Sequence, residues 1–464
     1  MENCSKDMIE QLIQSGTKAR RQSIVSAVID GIARRKLAPG EKLPPQRDLA
    51  HHLGVAVGTV GRAYAELETQ GFVISHVGRG TFIADMRTAR TQNALQLSEP
   101  IDMAVYRVPV PPLDDVFGDT LKAMAAEHRP DQILGSAPAA GRFEHREAFA
   151  HWLKRFGVFA TPDQIVLTNG GQHAMMSAIS TITHPGEVIA TEEFTDPRMK
   201  MVVSHLDRQL VGIPVDQHGL LPEALDQICR TQTIAAIYCT TRSQNPTNIT
   251  LRLERRQAIA EIARRYDLPV IESDVYGTIM ADVDPPIFAL APERTHFISS
   301  LGRIAGPGMK IGCLVSPPDK VAQTQSGVGM STGAATLIMA ELGSRWITEG
   351  RIDEMIRWQQ AEMLRRVSLI ATFPVLGQAR AIPTSSHVWL TLPEPWRAEE
   401  FVAAAAAHGV TIAPSHSFVV GRRSVPHAVR LVIASPPSMD LLETACERLE
   451  RLLNTQPRIH GDTA

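Results

Sequence analysis

Short apolar runs alternate with helix-forming stretches between residues 165 and 299, and this alternation constrains the fold more than any other feature of the chain. The runs are Ile165-Val166-Leu167, Val188-Ile189-Ala190, Ala236-Ile237-Tyr238-Cys239, Pro269-Val270-Ile271 and Phe297-Ile298-Ser299. Alternation of this kind is typical of a mostly parallel sheet whose two faces are covered by helices. The sequence therefore predicts an α/β fold for this part of the chain.

The C-terminal part of the chain, from about residue 364, has apolar runs and helices of its own. The runs cover residues 388–391 and 429–432. They predict a smaller α+β lobe at residues 364–455, which follows a larger α/β domain at residues 117–363. A chain of 464 residues is too long for one ordinary domain, and this agrees with such a division.

The first 85 residues follow a different pattern. Three amphipathic stretches predict helices, and two β-prone runs around a glycine-containing turn predict a hairpin. The helices are predicted at residues 18–36, 45–53 and 57–70, and the strands at residues 72–76 and 81–84. This order is that of a winged helix-turn-helix domain, which we predict for residues 14–85. Residues 86–116 lack periodicity and contain Pro109, Pro111 and Pro112, which predicts an extended linker.

The charge is distributed unevenly along the chain. The formal net charge is −2, yet residues 16–90 contain 12 Lys and Arg against 6 Asp and Glu. A small basic unit at the start of an acidic chain favours binding of nucleic acid by that unit. The partner that we expect is a double-stranded DNA operator.

Composition excludes several other classes of protein. Hydrophobic residues make up 44% and charged residues 21%, which is typical of a globular chain. No run of 18 uncharged apolar residues and no secretory signal is readable, so we expect no membrane span and a cytoplasmic location. The five cysteines lack the spacing of a metal site or a disulfide framework, so we predict reduced thiols and no metal.

Residues 37–85 follow the motif of the GntR family from end to end, and the chain resembles that family here. The resemblance implies that Arg47 contacts a backbone phosphate and that Thr59 and Arg62 face the major groove from the third helix. Gly78, Arg79 and Gly80 would form the tip of the wing. These residue types suit the task, because a guanidinium pairs with phosphate or guanine and glycine permits a close approach.

Residues 100–455 resemble the fold type I aminotransferases, and six motifs of that group occur in its order. The motifs are LTNGGQHA at 167–174, PGEVIATEEFTDP at 185–197, YCTTRSQNPTNITL at 238–251, VIESDVYGTI at 270–279, SSLGRIAGPGMKIGCLVSP at 299–317 and AVRLVIA at 428–434. Together with the winged N-terminal domain, they make the chain resemble the MocR subfamily of GntR regulators. The resemblance implies a homodimer.

The aminotransferase pocket holds pyridoxal phosphate, and the resemblance assigns it residues of this chain. Gly171 and Gln172 would open a helix whose amides meet the phosphate. Asn245 and Tyr276 would bind the ring hydroxyl oxygen. Lys310 and Arg430 stand where that group has arginines for the phosphate and for a substrate carboxylate.

The pocket motifs depart from the aminotransferase pattern at three or four positions. Arg303 stands in place of the lysine that forms the imine, and a guanidinium stays protonated and cannot act as that nucleophile. Asp196 replaces the aromatic residue that covers the ring, and it introduces a carboxylate without an evident partner. Ser136 replaces a tyrosine. The acid that pairs with the pyridine nitrogen is either lost at Ser273 or kept at Asp274, depending on the register.

Three functions are compatible with these observations. The favoured hypothesis is a sequence-specific transcriptional regulator whose aminotransferase-like part is a catalytically inactive dimerisation module and sensor for a small anion. Arg303, Lys310 and Arg430 would supply the positive charge for that ligand. In the second hypothesis the regulator binds pyridoxal phosphate noncovalently. The third hypothesis, an active aminotransferase, is disfavoured because no pocket lysine can form the imine, and we expect no covalent cofactor.

Overall fold

The computed structural model describes residues 21–33, 36–38, 40–69, 72–76, 80–83, 100–127, 130–280, 284–421 and 425–455. The chain divides into two compact units, Met1–Glu99 and Pro100–Ala464. We call the first unit the head and the second unit the body. In these described ranges, no helix combines the length and the apolar character needed to cross a membrane.

The head contains the predicted helix-turn-helix and hairpin. Its elements are α1 (Arg21–Ala33), α2 (Gln46–His52), α3 (Val57–Thr69), β1 (Val73–His76) and β2 (Gly80–Ile83). The two strands are antiparallel, and Val73 lies opposite Ile83. One face of each helix is apolar and fully buried, as at Ile24, Leu49 and Leu67. Burial of these faces holds the three short helices together, because helices of this length are marginal alone.

The body contains the larger set of elements. Its described helices of four or more residues are α4 (Asp114–Glu127), α5 (Pro130–Leu134), α6 (Phe143–Leu153), α7 (Gly171–Ile182), α8 (Pro197–His205), α9 (Pro222–Thr231), α10 (Leu253–Arg265), α11 (Ile287–Leu290), α12 (Val321–Thr332), α13 (Leu337–Thr348), α14 (Arg351–Ile370), α15 (Ala398–Ala407) and α16 (Met439–Leu453). Its described strands are β3 (Ile101–Asp102), β4 (Ile165–Thr168), β5 (Val188–Glu192), β6 (Gln209–Ile213), β7 (Val215–Asp216), β8 (Gly219–Leu220), β9 (Ala236–Cys239), β10 (Val270–Ser273), β11 (Thr295–Ser300), β12 (Gly312–Val315), β13 (Val388–Thr391), β14 (Val410–Thr411), β15 (Ala413–Pro414) and β16 (Ala428–Leu431).

A seven-stranded sheet in the order β4-β12-β11-β10-β9-β5-β6 forms the centre of the body. Strand β12 runs antiparallel to both of its neighbours, and the other described pairs in the sheet are parallel. The residues of β4, β9, β10, β11 and β12 are all buried, which explains their continuous apolar sequence. The predicted mostly parallel α/β fold is confirmed. The sequence reading did not identify β6 and β12.

A second, three-stranded sheet in the order β13-β16-β15 lies in the C-terminal lobe with helices α15 and α16. The short strand β3 pairs with β14 of this lobe, and Met103 after it is fully buried in the core of the lobe. Residues 100–113 therefore pack on the body, whereas the sequence predicted an extended linker over 86–116. The prediction fails in this part because prolines favour extended backbone without deciding whether that backbone is packed.

Glu192, the last residue of β5, is a buried carboxyl group beneath the sheet edge. It is 2% exposed. Its Oε1 accepts a hydrogen bond from the Thr240 amide at 2.8 Å, and its Oε2 accepts one from the Thr191 hydroxyl at 3.0 Å. Burial raises the pKa of Glu192 to about 7, although the hydrogen bond from Thr240 acts in the opposite direction. The folded protein therefore retains a proton at Glu192 that the unfolded chain loses near pH 4.5.

We expect the free energy of unfolding to fall as the pH rises from about 4.5 to about 7, because folding then requires Glu192 to bind a proton or to bury a charge. Glu192→Gln should remove about 3 kcal/mol of this pH dependence. Chemical denaturation at pH 5 and pH 8 measures it. Glu223→Gln, at a side chain that is 85% exposed, is the control and should leave the dependence unchanged. Equal pH dependence in wild type and Glu192→Gln would contradict the assignment.

Candidate functional site

Helix α3 of the head has one buried face and one exposed face. Val60, Ala63 and Leu67 are fully buried, whereas Arg62 on the other side is exposed. The Arg62 Nε donates a hydrogen bond to the Gly58 carbonyl at 3.1 Å, which directs the guanidinium along the helix surface. Thr59 is half-buried, and Arg47 near the start of α2 is exposed. Both arginines are therefore available to a partner of the head.

The hairpin of the head has the predicted wing arrangement, but its tip is only partly described. Gly80 begins β2 with a φ of 110°, and a Cβ there would lie 2.7 Å from the Lys42 Cε. This position therefore requires glycine for both its backbone and its packing. The predicted contact residues Gly78 and Arg79 lie outside the described residues.

The body contains a cavity of about 170 Å³ at the carboxyl ends of the parallel strands β5, β9 and β10, next to the start of α7. Such an edge is the usual ligand position in an open α/β sheet. Seven of the eight residues that we predicted for the pocket either line this cavity or contact a residue that does. Those that line it are Gly171, Gln172, Asn245, Tyr276, Arg303 and Lys310. Arg430 reaches it through a hydrogen bond to Asn245.

The phosphate side of the cavity is formed by the start of α7 and by Lys310. Gly170 precedes the helix with a φ of 87°, and no side chain caps the helix. A Cβ at Gly171 would lie 2.8 Å from the Val275 Cγ1, so glycine lets the backbone come close to β10. The helix amides and the Lys310 ammonium group together favour an anion at this end.

Consecutive strand residues point to opposite faces of a sheet, and this decides the register at the end of β10. Ser273 lines the cavity and is hydrogen-bonded to Tyr238. Asp274 points elsewhere, is fully buried and lies 3.6 Å from the Arg242 guanidinium. Our inclusion of Asp274 among the pocket residues is corrected by this placement. A hydroxyl group, and not a carboxylate, faces the cavity at this point.

Asp196 has the partners that its sequence position did not reveal. The carboxylate caps α8 by accepting from the Arg198 amide at 2.9 Å, and it pairs with the Arg198 guanidinium at 2.6 Å. It also accepts a hydrogen bond from the Asn245 Nδ2 at 2.9 Å. Burial acts to raise the pKa of Asp196, but the charge and the hydrogen bonds of Arg198 hold it well below its ordinary range. The expected lone carboxylate is thus a compensated one.

Asn245 links this carboxylate to Arg430. Its side-chain oxygen accepts a hydrogen bond from the Arg430 Nη1 at 2.9 Å, so both ends of the amide are engaged. Arg430 also donates to the Ala104 carbonyl and lies 4.8 Å above the Phe418 ring. Asn245 and Arg430 are 3% and 6% exposed. The groups that we predicted for a ring hydroxyl and a substrate carboxylate are therefore bonded to the protein itself.

Arg303 lies between two tyrosine rings. Its Cζ is 3.8 Å from the centroid of the Tyr106 ring and 5.1 Å from that of the Tyr276 ring. Its guanidinium donates to the Tyr106 carbonyl at 3.5 Å and to the Tyr276 hydroxyl at 3.4 Å. Both hydrogen bonds are long, so the cation–π contacts hold the side chain at least as firmly as they do.

Tyr106 is the cavity residue that the sequence reading missed, because it lies within the predicted linker. Its hydroxyl group is hydrogen-bonded to Ser386 and to the His387 Nδ1. Burial and then the charge of Arg430 lower the pKa of His387 to about 3, so this imidazole is neutral. Ser136, which stands in place of a family tyrosine, is exposed and does not line the cavity described here.

The charges around the cavity are unbalanced. Among the described residues that line it, Arg198, Arg303 and Lys310 are cationic and Asp196 is anionic. Asp196 pairs with Arg198, and no ion pair within the described ranges involves Arg303 or Lys310. Within the same ranges, no group of three or more His, Cys, Asp or Glu could hold a metal ion. The cavity is therefore suited to an anion.

Two family models match the chain, one for each unit. Residues 20–83 match the bacterial regulatory proteins of the gntR family. Residues 100–449, about three quarters of the chain, match aminotransferase class I and II. The body therefore belongs to the aminotransferase class I and II family.

Several curated relatives have both parts. The HTH-type transcriptional regulator YdeF of Bacillus subtilis is 27% identical over 439 residues, which are 94% of each chain. The HTH-type transcriptional regulator TauR of Rhodobacter capsulatus is 26% identical over 91% of this chain and 94% of its own. The HTH-type pyridoxine biosynthesis transcriptional regulator PdxR of Corynebacterium glutamicum is 27% identical over 66% of this chain and 68% of its own.

The solved structures that resemble the body are enzymes. An archaeal alanine:glyoxylate aminotransferase covers 80% of this chain and 94% of its own with a TM-score of 0.70 and 24% identity. The kynurenine aminotransferase of Pyrococcus horikoshii covers 80% of this chain and 95% of its own with a TM-score of 0.71 and 21% identity. These likenesses establish the fold type I aminotransferase fold of the body. With its gntR-type head and its regulator relatives, the chain belongs to the MocR-type transcriptional regulators.

Proposed function

We propose that this DNA-binding regulator uses its body as a sensor for a small anionic ligand and forms no imine with it. The observation that carries this proposal is Arg303, a permanent cation in the cavity at the position of the imine lysine. Lys310 is the only lysine among the described residues that line the cavity, and it lies at the phosphate end. We therefore propose a body without aminotransferase activity.

The cavity residues do not fit a covalently held pyridoxal phosphate. The position of the covering ring carries Asp196, whose carboxylate is bonded to Arg198 and Asn245. Ser273 faces the place of the pyridine nitrogen and offers no carboxylate. Asn245, expected to bind the ring hydroxyl oxygen, already bonds Asp196 and Arg430. These three positions support the loss of the cofactor chemistry independently of Arg303.

A second candidate is a regulator that binds pyridoxal phosphate without a covalent bond. Gly171, Gln172 and Lys310 line the cavity at the phosphate end, and they are the residues that would hold the phosphate group. The relative PdxR is named for pyridoxine biosynthesis, which makes a vitamin B6 phosphate a reasonable first ligand to test. In this case the phosphate would provide the binding energy and the aldehyde would be idle.

We also propose that the protein acts as a homodimer on a double-stranded operator. Exposed apolar side chains of the body, including Leu134 at 79% and Met330 at 76%, support a partner surface. Two heads on one dimer would read two half-sites, as is usual for helix-turn-helix proteins. A ligand can regulate such a dimer only if it binds one arrangement more tightly than another.

The first prediction concerns the head. Arg62→Ala should weaken binding to the operator by about 1–3 kcal/mol if Arg62 reads a base, and Arg47→Ala should weaken binding to all sequences and reduce the salt dependence. Fluorescence anisotropy with specific and scrambled duplexes at two salt concentrations measures both effects. Arg397→Ala, an exposed arginine of the body, is the control. Unchanged operator binding by Arg62→Ala would remove Arg62 from the interface.

The second prediction concerns imine formation. Mixing the protein with pyridoxal phosphate and borohydride should leave the cavity unmodified, because no lysine amine is placed to attack the aldehyde. Absorbance spectra and peptide mass spectrometry measure the adduct. Arg303→Lys, which supplies an amine at the family position, is the matched comparison. A reduced adduct on Lys310 of the wild-type protein would contradict the proposal.

The third prediction concerns the charge balance. Asp196→Asn keeps the helix cap but removes the negative charge, so the cavity should bind inorganic phosphate more tightly by about 1 kcal/mol. A thermal-shift titration measures the affinity. Asp163→Asn, at a side chain that is 85% exposed, is the control. Weaker phosphate binding by Asp196→Asn would show that Asp196 supports the anion site instead of opposing it.

A further inference from the structure

The segment that leads into the body from the head is held by the cavity itself. We call residues 101–108 the strap. In the sequence, residues 84–99 join the strap to the last strand of the head. The strap begins with β3, and the Asp102 carboxylate accepts hydrogen bonds from the Ala104 and Val105 amides at 2.9 and 3.0 Å. Its first residues are thus ordered by contacts with the C-terminal lobe.

The next three residues of the strap are held through their carbonyl groups. Arg430 donates to the Ala104 carbonyl, Ser435 donates to the Val105 carbonyl at 2.6 Å, and Arg303 donates to the Tyr106 carbonyl at 3.5 Å. Two of these three donors are guanidinium groups that aminotransferase chemistry would use or replace. The strap therefore occupies groups that could otherwise meet an anion.

The Arg303 contact is the weakest of the three and the one closest to the cavity. Arg303 lines the cavity, has only the two long hydrogen bonds described above, and makes no ion pair among the described residues. What holds it is the face of the Tyr106 ring at 3.8 Å. A phosphate or carboxylate oxygen would offer this guanidinium a shorter, charge-assisted hydrogen bond.

We propose that Arg303 clamps the strap through Tyr106 and that an anion bound in the cavity competes with the strap for this guanidinium. Anion binding draws Arg303 away from the Tyr106 ring and carbonyl, so that Tyr106 and its neighbours loosen. Because the strap is joined to the head through residues 84–99, its release changes the constraint on the head. This inference rests on the proposed anion-binding cavity and adds the route by which the ligand acts.

Competition has a signature that a supporting role of Tyr106 lacks. If the strap and the anion exclude each other, weakening the strap must strengthen anion binding by the same free energy. Tyr106→Leu, which removes the aromatic face, should therefore bind inorganic phosphate about three- to tenfold more tightly than wild type. Tyr106→Phe keeps the ring and should bind phosphate like wild type. If Tyr106 instead helps to form the anion site, Tyr106→Leu binds more weakly.

The test combines phosphate titration with hydrogen exchange of the full-length protein. In wild type, saturating phosphate should speed exchange of the peptide 104–108 several-fold. Arg303→Ala and Tyr106→Leu should show the fast exchange without phosphate, and Arg303→Ala should not respond to it. Unchanged strap exchange in both variants, or equal or weaker phosphate binding by Tyr106→Leu, would overturn the clamp. Phosphate binding to neither wild type nor Tyr106→Leu would overturn the anion cavity as well.

Discussion

The carboxylate of Asp196 organises the cavity of the body. It is bonded at the same time to the backbone and guanidinium of Arg198 and to the amide of Asn245, and Asn245 in turn accepts from Arg430. A partly buried charge is tolerated when its partners compensate it in this way. The chain of contacts fixes the side chains that an aminotransferase would keep available for its cofactor and substrate. The free positive charge is left to Arg303 and Lys310.

Most of the fold could be predicted from the sequence, because its signals are local. The buried strands β9, β10 and β11 are continuous apolar runs, and the head has the spacing of short amphipathic helices. Strand β12 escaped detection because Gly312-Cys313-Leu314-Val315 follows a loop motif with no helix between it and β11. Residues 100–113 were misjudged as linker because their order comes from partners far along the chain, such as β14.

The site was predictable in its membership and less so in its wiring. Six of the predicted residues line one cavity, because the motifs lie at the same edge of the sheet. The orientation of Ser273 and Asp274 could not be decided, since it depends on which face of β10 meets α7. The partner of Asp196 lies only two residues away at Arg198, and the short separation could have suggested a capped helix. Tyr106 had no signal in its neighbours at all.

The interlocked contacts of the cavity also bear on how such a chain can change over generations. A return of lysine at position 303 would still meet a carboxylate at Asp196 and a hydroxyl at Ser273, where the enzymes need a ring and an acid. It would also release Tyr106 from its stacking partner. No single replacement restores the enzyme, and each one alone disturbs a contact that now serves the folded body. The loss of catalysis therefore works as a ratchet, and selection on this lineage can refine only what the cavity binds.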